Sequence, residues 1–307
     1  MDRNSVAWRG YWAAAPTPFT QAGAIDEPAW RALLRLYLAL GIHGVLVNGS
    51  TGEWFSQTEA ERRRVAEIAV EELTGRIPVV IGCTTFTPAG TIALGQHAQQ
   101  IGADGILSTA PPYACPTPRE IIAFFSAISD AIDLPLMVYN WARGVSIEIT
   151  WDVAIELARI EHVVALKDST ANFAQAVATL ERLHDKVRMF GGFINRPGLA
   201  LLRGLGGDGN IDGGALGARF AVAFYESLWR GDVAGATTAA DKYGALMRQL
   251  IRPDWSGIFG SPPAQIKAAM NMLGQPGGWP RPPLLPIDDP HALDALRDVL
   301  ISTGLMD

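Results

Sequence analysis

Only four of the 25 basic residues are lysines, and one of them, Lys167, closes the apolar run Val163-Val164-Ala165-Leu166. Such a run carries its last residue into apolar surroundings. Burial disfavours the ammonium and lowers its pKa toward neutrality. The neutral amine attacks ketones and forms a Schiff base. A lysine paired with a carboxylate would occupy the same place in a sequence. The scarcity of lysine in a chain that otherwise uses arginine tilts the choice toward chemistry. A second run, Met137-Val138-Tyr139-Asn140, ends beside a phenol that can relay protons. A third ends Val47-Asn48-Gly49-Ser50-Thr51-Gly52-Glu53. There, backbone N–H groups freed by two glycines and two hydroxyls suit a carboxylate anion. Taken singly, Tyr139 reads as a packing aromatic and the glycine loop as an ordinary turn. Tyr139 and Lys167 end consecutive runs at equivalent places, and that coincidence strengthens both.

These residues need strands to present them. Eight apolar runs of strand length occur, at Trp12–Phe19, Gly44–Gly49, Pro78–Cys83, Gly105–Ala110, Leu134–Asn140, Val163–Asp168, Val187–Gly191 and Gly209–Asp212. Most lack polar alternation, as strands covered on both faces do. Helical spacing fills the gaps, at Glu27–Leu40, Thr58–Leu73, Thr91–Ile101, Pro118–Ile132, Ile149–Ile160, Asn172–Leu183 and Arg196–Leu205. Thr58 and Glu61 have the spacing of a capping box. This alternation predicts an α/β fold, a (β/α)8 TIM barrel, whose functional residues gather where strands end. A doubly wound sheet is the alternative, but no glycine-rich dinucleotide turn supports it. After Gly217 come only helices, at Arg219–Trp229, Val233–Ile251, Pro263–Leu273 and His291–Ser302. The expected division is therefore a barrel over 1–217 carrying the site, and a C-terminal helical extension over 218–307 packed on it.

Composition narrows the function classes. The 307 residues are 49% apolar and 18% charged, which suits a large packed core. A formal net charge of −6 without a basic stripe argues against nucleic acid. No apolar stretch reaches membrane-spanning length, and the first ten residues lack a signal-peptide pattern. The expected setting is cytoplasmic. Cys83 and Cys115 make no disulfide framework, and the five histidines show no metal-ligand spacing. Arg62-Arg63-Arg64, with Glu59, Glu61 and Glu67 nearby, reads as a solvated ion-pair face. His43 and Lys267 read as structural.

GSTGE at 49–53, YN at 139–140 and ALKDS at 165–169 stand in the order and spacing of the dihydrodipicolinate synthase / N-acetylneuraminate lyase family. The tail, with PPAQIKAAMNMLG and then PLLP, also resembles that family's C-terminal segment. The resemblance implies a class I, Schiff-base aldolase or lyase that makes or cleaves a C–C bond next to pyruvate or a related 2-oxo acid. Lys167 matches the imine-forming lysine and Tyr139 the proton-shuttling tyrosine. Gly49, Ser50 and Thr51 match the carboxylate-holding loop, and Ile211 a residue whose backbone lines the pocket. The resemblance implies no metal and no organic cofactor. It implies a homo-tetramer, with a second small molecule, an aldehyde or imine, as co-substrate.

Departures from the family pattern bear on that co-substrate. Dihydrodipicolinate synthases carry a second tyrosine straight after the one matching Tyr113, where this chain has Ala114. They carry an arginine five positions past the catalytic tyrosine, where this chain has Gly144, with Arg143 one position short. Neuraminate lyases carry an acidic pair where this chain has Gly192-Phe193-Ile194-Asn195. Trp54, Tyr113, Trp141, Arg143, Phe193, Asn195 and Asp212 are expected to face the second half of the substrate. Four of these are large aromatics, which suits an aromatic or otherwise apolar aldehyde better than a sugar. Three readings stand beside the aldolase: a dehydratase or deaminase of a 2-keto-3-deoxy acid or cyclic imine acid, 4-hydroxy-tetrahydrodipicolinate synthase, and a non-catalytic 2-oxo-acid sensor.

Overall fold

The computed structural model describes all residues, 1–307. Eight parallel strands close into a barrel in chain order. They are β1 (Gly10–Ala14), β2 (Gly44–Val47), β3 (Val79–Gly82), β4 (Gly105–Thr109), β5 (Leu136–Asn140), β6 (Val163–Asp168), β7 (Arg188–Phe190) and β8 (Gly209–Asp212). The helices are α1 (Glu27–Ala39), α2 (Glu59–Leu73), α3 (Pro88–Gln100), α4 (Pro118–Ser129), α5 (Ala142–Val145), α6 (Trp151–Leu157), α7 (Phe173–Leu183), α8 (Arg196–Gly204), α9 (Ala218–Trp229), α10 (Val233–Arg248), α11 (Pro262–Met272) and α12 (Pro290–Ser302). The expected barrel and its helical extension are present.

Local sequence accounts for most boundaries. Asp26 accepts the N–H of Ala29 at 3.0 Å and starts α1. Thr58 and Glu61 cap α2 reciprocally, at 3.2 and 2.8 Å. The first strand departs from expectation, spanning Gly10–Ala14 rather than Trp12–Phe19. Pro16 and Pro18 follow it, and proline has no N–H to offer a ladder. Helix α6 is also shorter than its apolar pattern, and α5 was not expected.

Two apolar layers flank the strands. The outer one packs strands against helices and includes Tyr11, Leu34, Val65, Ile106, Phe125 and Phe224. Helix α9 packs on β1 and joins this layer, so it completes the ring of barrel helices. A separate cluster from α10, α11 and α12 includes Leu246, Leu250, Leu296 and Leu300.

The inner layer fills the barrel. Trp8, Trp12 and Phe190 stack edge to face, with centroids 5.5 and 5.1 Å apart. Gly44 makes room for them, since a Cβ there would lie 2.3 Å from the Trp12 ring. Trp8 and Trp12 fill their part of the interior, while Phe190 and the smaller Ala14, Leu46 and Ile211 border an open cavity.

One irregularity matters for function. The β5–β6 register pairs Leu136 with Val163 but Met137 with Ala165, so Val164 is an extra residue. Beyond this bulge Tyr139 pairs with Lys167. Bulges re-aim side chains, and this one brings Ala165 and Lys167 into step with Met137 and Tyr139.

Candidate active site

Lys167 is next to last on β6 and is 7% exposed. Its ammonium pKa is pulled down to about 8 by burial, against a smaller upward pull from Asp212. Nζ makes no hydrogen bond and no ion pair within the chain. It lies 4.0 Å from the centroid of the Tyr139 ring. A free amine is therefore far more abundant near neutrality than on an exposed lysine.

Tyr139 is almost wholly buried on β5. Burial raises its pKa, Ser169 beside it holds back part of the rise, and the Asp168 charge adds to it. The phenol is thus kept protonated and able to donate. Trp141 stacks on its ring, 5.7 Å between centroids and 14° from parallel. Asn140 ties the two strand tips together. Its Nδ2 donates to Asp168 Oδ1 at 2.9 Å, and its Oδ1 accepts the N–H of Ile149 at 2.9 Å. The Asp168 carboxyl is itself pushed up to about 6 by burial.

The loop after β2 is held from several sides. Asn48 and Glu53 take left-handed backbone angles, φ +54° and +56°. Asn48 Nδ2 donates to the Arg62 carbonyl at 2.8 Å. The Gly52 carbonyl accepts from Thr17 at 2.9 Å and from Gln57 at 2.7 Å. Glu53 is fully buried. Its Oε1 takes the Lys267 ammonium at 2.5 Å, and its Oε2 the N–H of Arg281 at 2.9 Å. Lys267 is structural, as expected, but its partner lies 214 residues away. Arg62 departs from the solvated face assigned to it. It is 5% exposed and donates to the Thr84 and Gly82 carbonyls at 3.0 and 2.8 Å. Helical spacing puts it on the inner side of α2 with Val65 and Ala66, while Arg63 and Arg64 do form exposed pairs.

A cavity of about 320 Å³ opens at this end of the barrel. It is lined by Lys167, Tyr139, Ser50, Thr51, Trp141, Arg143, Ile211 and Asp212 from the expected set. Gly49, Trp54 and Asn195 do not line it. Tyr113 does not reach it either and stands 93% exposed. Phe193 is likewise outside, because its side chain is buried at the foot of α8 in a neighbouring cavity. Arg143 is on the wall but engaged, donating to the Asp254 carbonyl at 2.7 Å and carboxylate at 3.1 Å.

Several wall residues had no sequence signal. Phe55, Met247, Ile251, Trp255 and Leu284 complete the apolar side. Four of these come from beyond α9, in a region without strand tips to mark them. Cys83 is buried and its thiol is pushed up to about 12 by burial, so it stays an inert thiol. Cys83 and Cys115 are both free.

The sequence profile described as the dihydrodipicolinate synthetase family matches residues 7–300. The chain belongs to the dihydrodipicolinate synthetase family. Among curated relatives, it is 34% identical over 300 residues to an uncharacterized DapA-like lyase of Rhizobium meliloti, covering 97% of each chain. It is also 34% identical over 297 residues to a 4-hydroxy-tetrahydrodipicolinate synthase of Phenylobacterium zucineum, covering 95% of this chain and 97% of the relative. Among solved structures, YagE, a prophage protein of E. coli K12 in complex with pyruvate, superposes with a TM-score of 0.90. The match is at 27% identity and covers 98% of this chain and all of the other. Dihydrodipicolinate synthase from Aquifex aeolicus gives a TM-score of 0.87 at 29% identity, covering 97% and 99%. This dihydrodipicolinate synthetase family member is a lyase of the class I, Schiff-base aldolase type. No helix is long and apolar enough to cross a membrane.

Proposed function

We propose that this lyase joins or splits a C–C bond next to pyruvate or a related 2-oxo acid, with Lys167 as the imine-forming residue. The observation that carries the reading is the unpaired, buried Lys167 amine, 4.0 Å from the Tyr139 ring and open to a cavity of about 320 Å³. Ser50 and Thr51 hold the substrate carboxylate, which aims the keto carbon at Nζ. Loss of water gives a protonated imine, which draws electrons far better than a ketone. C3 then loses a proton, or the C3–C4 bond breaks, and either step gives the same enamine. Tyr139 supplies or accepts the proton. Such acid–base help is worth about 10²–10⁴-fold. The solved relative that holds pyruvate supports this substrate half.

The second substrate is an aldehyde with an apolar or aromatic body. Phe55, Trp141, Met247, Ile251 and Trp255 form its wall. Arg143, the cation placed to meet a second carboxylate, is held by Asp254. The synthase reading draws on the named relatives and requires Arg143 to leave that aspartate. Product analysis with a panel of aldehydes and 2-oxo acids separates these readings from a dehydratase, which releases water in place of an aldehyde. The reading includes a homo-tetramer at work in the cytoplasm, for which light scattering is the check on assembly. The deciding experiment is borohydride reduction with pyruvate, followed by peptide mass analysis. A reduced adduct on the peptide carrying Lys167 is expected, and an unmodified Lys167 overturns the proposal.

A further inference from the structure

A second cavity, of about 340 Å³, lies beside the first and is walled by α7, α8 and β7. The two cavities share five wall residues, Asp168, Phe190, Gly191, Gly192 and Trp255. Two of the five are glycines, so little side-chain mass divides the cavities at the tip of β7. A Cβ built on Gly192 would meet no atom within 4 Å. Trp255 reaches this boundary from the loop after α10. Its φ of +64° is costly for so large a side chain, and its buried indole N–H has no partner within the chain. Strain of this kind persists where a site needs the residue held. The Trp255 ring meets Trp141 edge-on, 6.4 Å between centroids, and Trp141 stacks on Tyr139. A run of rings thus links the boundary to the residues around Lys167.

The second cavity has apolar walls. Phe173, Ala176 and Leu180 come from α7, Met189 from β7 and Leu201 from α8. Phe173 is 62% exposed, an apolar ring left largely uncovered. The polar side chains there are spent on the chain itself. Asn195 Oδ1 accepts the Gly198 N–H at 2.8 Å, and its Nδ2 donates to the Gly192 carbonyl at 2.7 Å. The Thr170 hydroxyl donates to Glu148 and accepts the Asn172 N–H at 3.0 Å. Asp168 is the only charged residue on the wall, so a second carboxylate or a phosphate would meet no cation.

We propose that the second cavity receives the far end of the co-substrate, and that this enzyme takes aldehydes with an extended aryl body, longer than a single ring. The proposal rests on Lys167 being the imine-forming residue for a 2-oxo acid. The pyruvate half sits beside Lys167, Ser50 and Thr51. The aldehyde half runs from there past Trp255 and Gly192 and ends between α7 and α8. Removing its outer ring from water favours binding. A polyhydroxylated aldehyde gains nothing here, because its hydroxyls would give up water and find no free partner. Trp255 and Gly192 therefore set how long a co-substrate the enzyme accepts.

The test lets two 2-oxo acids compete with pyruvate for Lys167 under borohydride, read as adduct masses on its peptide. The acids are 2-oxo-4-phenylbutanoate and 4-(biphenyl-4-yl)-2-oxobutanoate, which lack a C4 hydroxyl and so cannot be cleaved. In the wild type the biphenyl acid should compete on the order of 10-fold better or more. Ala176→Phe fills the second cavity from α7, and Ala176 does not line the first. It should abolish the advantage of the biphenyl acid. The ratio between the two acids is read within each variant, so it does not depend on how fast that variant traps pyruvate. Equal competition by the two acids in the wild type, or an advantage that survives in Ala176→Phe, overturns the proposal. Should Ala176→Phe not fold, Gly192→Leu closes the boundary instead, and an advantage that survives there overturns it equally. A wild type that traps no pyruvate on Lys167 overturns the imine reading itself. Trapped pyruvate without a biphenyl advantage overturns the second cavity's role alone.

Discussion

Lys167 and Lys267 are both buried lysines whose ammonium groups are disfavoured by burial, and both lie over an aromatic ring, at 4.0 and 4.5 Å. They differ in what surrounds the nitrogen. Lys267 Nζ gives hydrogen bonds to Glu53 Oε1 at 2.5 Å and to the Trp279 carbonyl at 2.8 Å. Burial brings its pKa down to about 8 as well, with Glu53 pulling against the fall, and the nitrogen's hydrogens are spent on these two partners. Lys167 has no such partner and borders open space. Burial alone therefore does not make a lysine a nucleophile. An unspent lone pair and room for a carbonyl do. The paired lysine still serves the site, because Glu53 ends the loop that carries Ser50 and Thr51.

The sharpest way to break this comparison is to delete each amine in turn. Lys167→Met should abolish turnover, on the order of 10⁴-fold or more. Its melting temperature should be unchanged or higher, because an unpaired buried amine is removed. A marked fall in melting temperature would mean that Lys167 also holds the fold together. Lys267→Met should do the reverse. It strands the Glu53 charge and should cost about 3–5 kcal/mol of stability, read by denaturant unfolding. In the surviving fold, the KM for the 2-oxo acid should rise more than kcat falls, since the carboxylate loop has lost its anchor. Full stability would show that Glu53 is satisfied without it.

Smaller effects refine the contrast. Tyr139→Phe should lower kcat about 10²-fold while sparing the melting temperature, because the ring remains against Trp141. The smallest effect concerns pH. Lys167 reacts as the free amine, and its pKa of about 8 means the reactive fraction falls as pH drops through that value. The same shift has a sign in stability. Between about 8 and the ordinary lysine value the unfolded chain binds the extra proton, so stability from this residue rises with pH across that window. Lys167→Met should flatten that rise in a series of unfolding curves. A rise of unchanged slope would assign it to Lys267 instead.

Much of this was legible in the chain. Apolar runs such as Val163–Asp168 report strands buried on both faces, because a parallel barrel offers no solvent-facing side. The Thr58 and Glu61 box is local and was read directly. Arg62 was misplaced because neighbouring Arg63 and Arg64 share its type but not its side of the helix. Phe193 and Tyr113 were expected at the cavity from the family pattern, by their place in the sequence alone. Nearness along the chain does not say which way a loop side chain turns, and one is packed under α8 while the other stands in solvent.

The types and order of Lys167, Tyr139, Ser50 and Thr51 were thus set by sequence, since short-range propensity and apolar patterning place Tyr139 and Lys167 near the ends of β5 and β6 and Ser50 and Thr51 in the loop after β2. Three things were decided only by the closed barrel. The extra residue at Val164 brings Lys167 into step with Tyr139. Trp255 and Asp254 arrive from a distant loop to wall the cavity and occupy Arg143. Glu53 meets Lys267 across the whole fold and leaves Lys167 the unpaired one. Each is a contact between segments far apart in the chain. Such contacts follow from how many strands close and in what register, which no local run of residues encodes.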